Sequence, residues 1–340
     1  MATTRISAQL PPNIDPTKAP LAYGDRAIPK LNRELQDEEL ITRQRALMTL
    51  CDHLHDPEHI VEALRLGVVE SLKALLTDSD GTVRHKATEV LYIIAGHNIG
   101  RDAFLDYSII PPLAKLFDDD LDIVRRNSHM AIEMVSEFAP GAEGVVQNNL
   151  IPILVEKLKS ELDEIKEYIL DTLHFCLRLD QEQALKAGAM EVFTQLLVHV
   201  SSIIRAKAAR DIMDLSVPLD GKNRACSVNT LPALVALLDD TDADVRAKAA
   251  GAIMTITITT EGKKTAISSG ALPKLVQLVN DHYSEVRLNT IKAITTLSES
   301  PDGREELMKS VEDIKLRMSD DSAAVRKAAE IAVKVITWLP

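Results

Sequence analysis

Apolar side chains recur along this 340-residue chain at helical spacing, and that spacing itself repeats. Eight times an apolar residue or threonine is followed at once by a basic one: Thr42-Arg43, Val83-Arg84, Val124-Arg125, Ile165-Lys166, Ile204-Arg205, Val245-Arg246, Val286-Arg287 and Val325-Arg326. Successive gaps are 41, 41, 41, 39, 41, 41 and 39 residues. A period that steady predicts a stack of similar helical units, not one domain around a single core.

Thirteen residues before each pair lies a second column: Pro29, Glu70, Pro111, Pro152, Glu191, Pro232, Pro273 and Glu312. Proline suits the first turn of a helix, where its missing N–H has no partner to lose, and glutamate suits the positive end of the helix dipole. The column therefore predicts a helix start in every unit. Two and six residues further on every unit is apolar, from Leu31/Leu35 to Ile314/Met318, which places both side chains on one helix face. This short helix runs into an acidic turn such as Asp118-Asp119-Asp120, and the apolar-basic pair then opens a longer helix. Four residues into that helix stand mostly small side chains: Ala46, Ala87, Ser128, Ile169, Ala208, Ala249, Thr290 and Ala329. They predict close helix-helix approach. A weaker segment, often opened by glycine and a basic residue (Gly100-Arg101, Gly221-Lys222, Gly262-Lys263, Gly303-Arg304), links the units. Three helices in about 40 residues is the armadillo pattern, whereas two would be HEAT. The expected fold is all-α, an armadillo-type right-handed α-solenoid of about eight repeats over residues 21–340. Residues 1–20 carry Pro11, Pro12, Pro16 and Pro20 and predict an extended N-terminal arm. Trp338, the one tryptophan, is expected to cover the exposed end of the core.

Composition agrees with stacked helices: apolar residues make up 46% but aromatic ones only 3%, so the core must be Leu, Ile, Val and Ala. The net charge of −12 and the lack of a Lys/Arg-rich run argue against nucleic acid and anionic membrane surfaces as partners. Cys51, Cys176 and Cys226 are too few and too far apart for a disulfide framework. No stretch approaches 18 uninterrupted apolar residues, so no transmembrane helix is expected. The N-terminus has no apolar segment of the kind found in secretory signals.

The basic column invites reading as a binding ladder. Each of its members follows an acidic turn, however, and a residue that recurs in every unit generally maintains the unit. A repeated intramolecular ion pair or turn hydrogen bond is the expected role, with function placed where the repeats differ. The two 39-residue gaps, before Ile204-Arg205 and Val325-Arg326, mark such places. Armadillo proteins that carry nuclear-import cargo use Asn ten residues after the apolar member of the pair. Here that column reads Asp52, Ile93, Met134, Phe175, Asp214, Thr255, Thr296 and Val335, so the likeness to cargo carriers stops at the fold. Cys51, His53, His55 and His59 are the densest set of metal-ligand types. Asp56-Pro57 interrupts them and no second cluster follows, so no metal is expected. His85, His97, His129 and His174 read as scattered polar residues. Asp220-Gly221-Lys222-Asn223 and Glu261-Gly262-Lys263-Lys264 lack P-loop spacing. No catalytic residue, cofactor or small-molecule substrate is nominated.

Several segments exceed generic repeat consensus: Leu10-Pro11-Pro12-Asn13-Ile14-Asp15, Thr17-Lys18-Ala19, Ala22-Tyr23-Gly24, His55-Asp56-Pro57-Glu58, Thr88-Glu89-Val90-Leu91-Tyr92-Ile93, Pro218-Leu219-Asp220-Gly221-Lys222-Asn223 and Val333-Lys334-Val335-Ile336-Thr337-Trp338. Together they resemble the radial spoke head 14 family of armadillo-repeat proteins of motile cilia. That resemblance implies a non-catalytic structural component of the radial spoke in motile cilia and sperm flagella. It implies other radial spoke proteins as partners within a large axonemal complex, and a place in the cytoplasm, on the cytoskeleton of the cilium or flagellum. The alternative left open by the repeats is a soluble adaptor binding extended peptides along the concave face.

Overall fold

The computed structural model describes residues 24–338, and the expected arm at residues 1–20 lies outside them. Among the described residues there are 23 α-helices, three short 3-10 turns and no strand. The described residues divide into two compact bodies, 24–135 and 136–338, with the division at the last residue of the third long helix. No helix among them is long and apolar enough to cross a membrane.

The eight predicted units are present. Repeats 2 to 8 each have a first, a second and a long third helix; repeat 6, for example, is Leu219–Ser227, Thr230–Leu237 and Ala243–Ile256. Repeat 1 has a 3-10 turn, Gly24–Arg26, in place of a first helix. The apolar member of every pair is the third residue of its long helix. The proline or glutamate column falls in the first turn of every second helix. The small column, Ala46 through Ala329, is buried throughout, which lets long helices of successive repeats stack closely. The paired apolar positions of the second helices are buried too, with Met318 the exception. There the second helix, Val311–Leu316, tightens into the 3-10 turn Arg317–Ser319.

Two backbone devices hold the first helix. Between first and second helices the chain passes through a left-handed residue: Gly67, Ser108, Asn149, Gly188, Asn229 and Gly270 in repeats 2 to 7. Glycine and asparagine tolerate that conformation best, which explains the composition of the turn. At the other end, the glycine of the glycine-basic pair sits against the preceding long helix. A Cβ on Gly221 would meet the Leu215 carbonyl oxygen at 1.9 Å. In three of the four pairs the basic residue that follows then binds a carbonyl at or just beyond the end of the long helix: Arg101 donates to Ala95 O, Lys222 to Val217 O and Arg304 to Ser298 O, whereas Lys263 pairs with Glu299.

Trp338 does not cover the core. It is 56% exposed, with the Arg304 guanidinium 5.4 Å above its ring. Arg304 is already anchored to the end of the preceding long helix, so the indole lies over that fixed cation.

The basic column is structural, as its position after an acidic turn suggests. Arg43, Arg84, Arg205, Arg246, Arg287 and Arg326 each donate Nη1 to the two carbonyls five and six residues back, closing the turn that precedes the long helix. Five of the six then reach a carboxylate in the same turn of the next repeat. The pairs are Arg43–Asp78 at 3.0 Å, Arg84–Asp119 at 2.6 Å, Arg205–Asp240 at 2.8 Å, Arg246–Asp281 at 2.7 Å and Arg287–Asp320 at 2.7 Å. Each of these aspartates also accepts the backbone N–H two residues on. One carboxylate thus shapes its own turn and receives the previous repeat.

Two expected outcomes follow from this geometry. Gly221→Ala forces the Leu215 carbonyl aside and is expected to cost roughly 1–3 kcal/mol, read as a lowered urea midpoint. Burial alone would raise the Asp240 carboxyl, but the Arg205 hydrogen bond, the Asp242 N–H and the Arg205 charge together hold it below its ordinary value; Asp119 is held low in the same way by Arg84, and Asp320 chiefly by the Arg287 hydrogen bond. A carboxyl depressed in the folded state adds stability that is complete above its unfolded pKa, about 4, and is lost as pH falls through the folded value. Stability is therefore expected to decline below about pH 4, with a shallower decline in Asp240→Asn when urea midpoints are measured across an acid series.

Candidate functional face on the long helices

Numbering from the apolar member of each pair, position +3 reaches backward in three repeats: Asn127 Nδ2 donates to His85 O, Asn289 Nδ2 to Ala247 O at 3.0 Å, and Lys207 Nζ to Glu167 O at 3.3 Å. These side chains bind the preceding long helix and are structural. Position +10, the place of the cargo-binding asparagine, is diverse in burial as in sequence: Asp52 is exposed, Thr255 buried, and Thr296 Oγ1 lies 2.7 Å from Thr257 Oγ1.

Repeats 4 and 5 depart from this pattern. Between their long helices, Asp163–Leu177 and Ser202–Leu215, lies a polar cluster. Lys207 Nζ donates to Asp171 Oδ2 at 2.6 Å, and Arg210 Nη1 to Asp171 Oδ1 at 2.9 Å. Arg210 also donates to Leu170 O and, through Nε at 3.0 Å, to Asp211 Oδ1. His174 Nδ1 lies 2.6 Å from Asp214 Oδ2. Asp211 is fully buried, and its Oδ2 has no hydrogen-bond partner. Burial pushes the Asp211 carboxyl well above the usual carboxylate range; Arg210 opposes the shift and Asp214 adds to it. Asp211 occupies position +7, where the other repeats carry Thr49, Val90, Ala131, Thr172, Ala252, Ala293 and Ala332.

The same joint departs from the arginine–aspartate ladder. Lys166 stands where most repeats have arginine, and it pairs with Asp163 of its own first turn at 3.3 Å. His199 stands where repeat 6 has Asp240. Its Nδ1 accepts the Ser201 N–H as an aspartate oxygen would, while its Nε2 points to the same Asp163 at 3.3 Å. Two basic side chains from successive repeats therefore share one carboxylate.

The 39-residue gap before Ile204 has its cause in this repeat: the first helix, Glu182–Lys186, is five residues long, against nine in repeats 2, 3, 4, 6 and 7. Beside it lies an open groove of about 700 Å³ lined by Leu179, Asp180, Gln181, Glu182, Leu185, Lys186, Pro218, Asp220 and Arg224. Leu179, Val217 and Leu219 are all exposed at this place. The second short gap, before Val325, coincides with an eight-residue first helix, Pro301–Met308, and with exposed Leu316 and Met318.

Among the described residues, the other sequence candidates form no group of three convergent ligands. Cys51 is buried and its thiol is pushed up to about 12, chiefly by burial. His53 and His59 stack on each other at 3.7 Å, and His59 Nδ1 meets His53 O. All three cysteines are free. Among the described residues, one group of potential metal ligands converges, and it is His174, Asp211 and Asp214. Scanning for local Cys/His spacing missed it, because two of its residues lie a whole repeat from the third. The legible signal was an aspartate in a column otherwise small or apolar.

Helical repeats with three helices in nearly all of them, stacked through their long helices within each body, define an armadillo-repeat α-solenoid. The chain belongs to the family described as PIK3R4-like, middle domain, which matches residues 71–314. It is similar to radial spoke protein 14 of Chlamydomonas reinhardtii, with 24% identity over 226 residues, 62% of this chain and 58% of that protein. The chain thus spans a little over half the length of that relative. An engineered protein solved by crystallography superposes with a TM-score of 0.84 at 23% identity, covering 91% of this chain and 78% of its own. A computationally designed armadillo protein for modular peptide recognition superposes with a TM-score of 0.63 at 23% identity, covering 67% of this chain and 99% of its own. Both structural likenesses show the fold.

The odd joint allows a direct check. Lys166→Arg with His199→Asp rebuilds the arginine–aspartate pair that the next joint makes through Arg205 and Asp240. The double variant is expected to melt higher than the sum of the single changes allows, by about 1 kcal/mol of coupling in a double-mutant cycle. Additive single effects would show that this joint is held by other contacts.

Proposed function

We propose that this chain is a non-catalytic scaffold of the radial spoke in the axoneme of motile cilia and flagella, holding other spoke proteins against its repeats. The similarity to radial spoke protein 14 carries the reading. The armadillo fold supports it physically. Stacked repeats offer a long surface, and their polar positions go largely into ion pairs and turn bonds that maintain the stack. The surfaces available to partners are those where repeats depart from the rule: the shortened first helix of repeat 5 with its groove, and exposed Leu316, Met318 and Ile331 of repeat 8. Residues 1–20 form, in this reading, an arm that adds a second contact and orders on assembly, with residues 21–340 as the repeat domain.

Cross-linking mass spectrometry on isolated axonemes tests the proposal. The expected result is cross-links from repeats 5 and 8 to radial spoke subunits. Deletion of residues 1–20 is expected to weaken incorporation into spokes while leaving the melting temperature of the purified chain unchanged. Absence of the chain from axonemes, together with capture of free extended peptides by its long helices, would establish the adaptor reading instead.

A further inference from the structure

We propose that His174, Asp211 and Asp214 form a binding site for a divalent transition-metal ion of the zinc class, with one coordination position open to solvent or to a partner's side chain. The site stands on this chain's own geometry and does not depend on the radial spoke assignment.

The ligand atoms are already gathered. One atom from each of the three residues lies within 4.8 Å of the other two. In a tetrahedral site with bonds of about 2.0–2.1 Å, ligand atoms stand roughly 3.3–3.5 Å apart. The 2.6 Å contact between His174 Nδ1 and Asp214 Oδ2 must therefore open by less than about 1 Å to admit an ion. Both side chains are partly exposed and free to make that adjustment, at 24% and 16%.

The buried partner is the reason to expect an ion. Asp211 Oδ1 accepts from Arg210, but Oδ2 is buried with no donor. A buried carboxylate oxygen left unsatisfied is costly, and such an atom normally has a partner. Charge points the same way. Lys207 and Arg210 are met by Asp171 and, at 4.0 Å from Lys207, Glu167. Four carboxyls, of Glu167, Asp171, Asp211 and Asp214, thus face two cations and the one imidazole of His174, and a divalent cation balances the difference when Asp211 and Asp214 both bind it ionised.

The donor set selects the class of ion. One imidazole with two carboxylates suits zinc and its neighbours, whereas calcium and magnesium prefer all-oxygen shells. The supporting contacts are those a metal site needs: Arg210 fixes the Asp211 carboxylate and is itself fixed by Asp171 and Leu170 O. Asp211 and Asp214, three apart on one helix, face His174 on the neighbouring long helix.

The test uses the full chain, stripped of metal, in buffer free of chelating groups. Zinc titrated by calorimetry is expected to bind with one strong equivalent per chain. Cobalt(II) is expected to give the visible absorption of a four- or five-coordinate ion. His174→Ala and Asp214→Ala are each expected to weaken zinc binding by more than about ten-fold, while His282→Ala, at an exposed histidine of the same body, leaves it unchanged. Asp211→Asn is expected to fold, since it removes a buried charge, and to lose both zinc binding and the cobalt spectrum. The proposal is overturned if no strong equivalent is found. It is equally overturned if the equivalent survives His174→Ala and Asp214→Ala, which would assign it to surface histidines.

Discussion

An arginine at the start of a long helix and an aspartate one repeat later set the terms for the rest of this structure. The arginine closes its own turn through two carbonyls, and its remaining nitrogens find the carboxylate that shapes the next turn. Each such link is charge-assisted, largely shielded from water and anchored at both ends to backbone, which raises it above an ordinary surface ion pair. The distance along the chain from arginine to aspartate is therefore constrained, and so is the order in which long helices stack. Apolar burial supplies most of the stabilising free energy, but Leu, Ile and Val surfaces alone would tolerate slipped registers. The polar ladder does not.

That constraint explains where the repeats can vary. The segment from the second helix to the long helix holds the turn and its arginine, and the spacing from the proline or glutamate column to the pair never changes. Length is lost instead near the first helix, as in the five-residue helix Glu182–Lys186. Its ends are set by a left-handed residue, Gly188, and by the end of the previous long helix, so its middle can shorten without disturbing either. The groove beside it, the shared Asp163 carboxylate and the Asp211 cluster all occur around this one repeat. A joint whose ladder link is altered leans on other contacts between its long helices, and Arg210–Asp171 and Lys207–Asp171 are such contacts.

Much of this was legible from residues. The Val-Arg period revealed the repeat, and the acidic turns before each pair revealed that the basic column is structural. The acidic half of the ladder was harder to see. Asp78, Asp119, Asp240, Asp281 and Asp320 sit in turns where aspartate is common for local reasons, and each pairs with an arginine some 35 residues earlier, as in Arg205–Asp240. The Asp211 cluster was missed for a related reason: helical neighbours three and four apart are visible in sequence, but contacts between adjacent long helices join residues about one period apart. Trp338 failed as an expectation because a lone aromatic residue near a chain end says nothing of the direction its ring will take.

The Asp211 side chain shows how a repeat protein departs from its own consensus. At position +7 the other repeats place alanine or valine, which bury no polar side-chain atom, or threonine, whose hydroxyl bonds the carbonyl four residues back in its own helix. An aspartate there buries a carboxylate, and its surroundings must then supply a proton, a cation or a hydrogen-bond donor. Arg210 supplies one side only. Mutation toward alanine at this position would restore the consensus and remove the penalty at once, so the aspartate is not explained by stacking. Its burial beside His174 and Asp214, with Arg210 on one oxygen only, is the observation on which the proposed cation site rests.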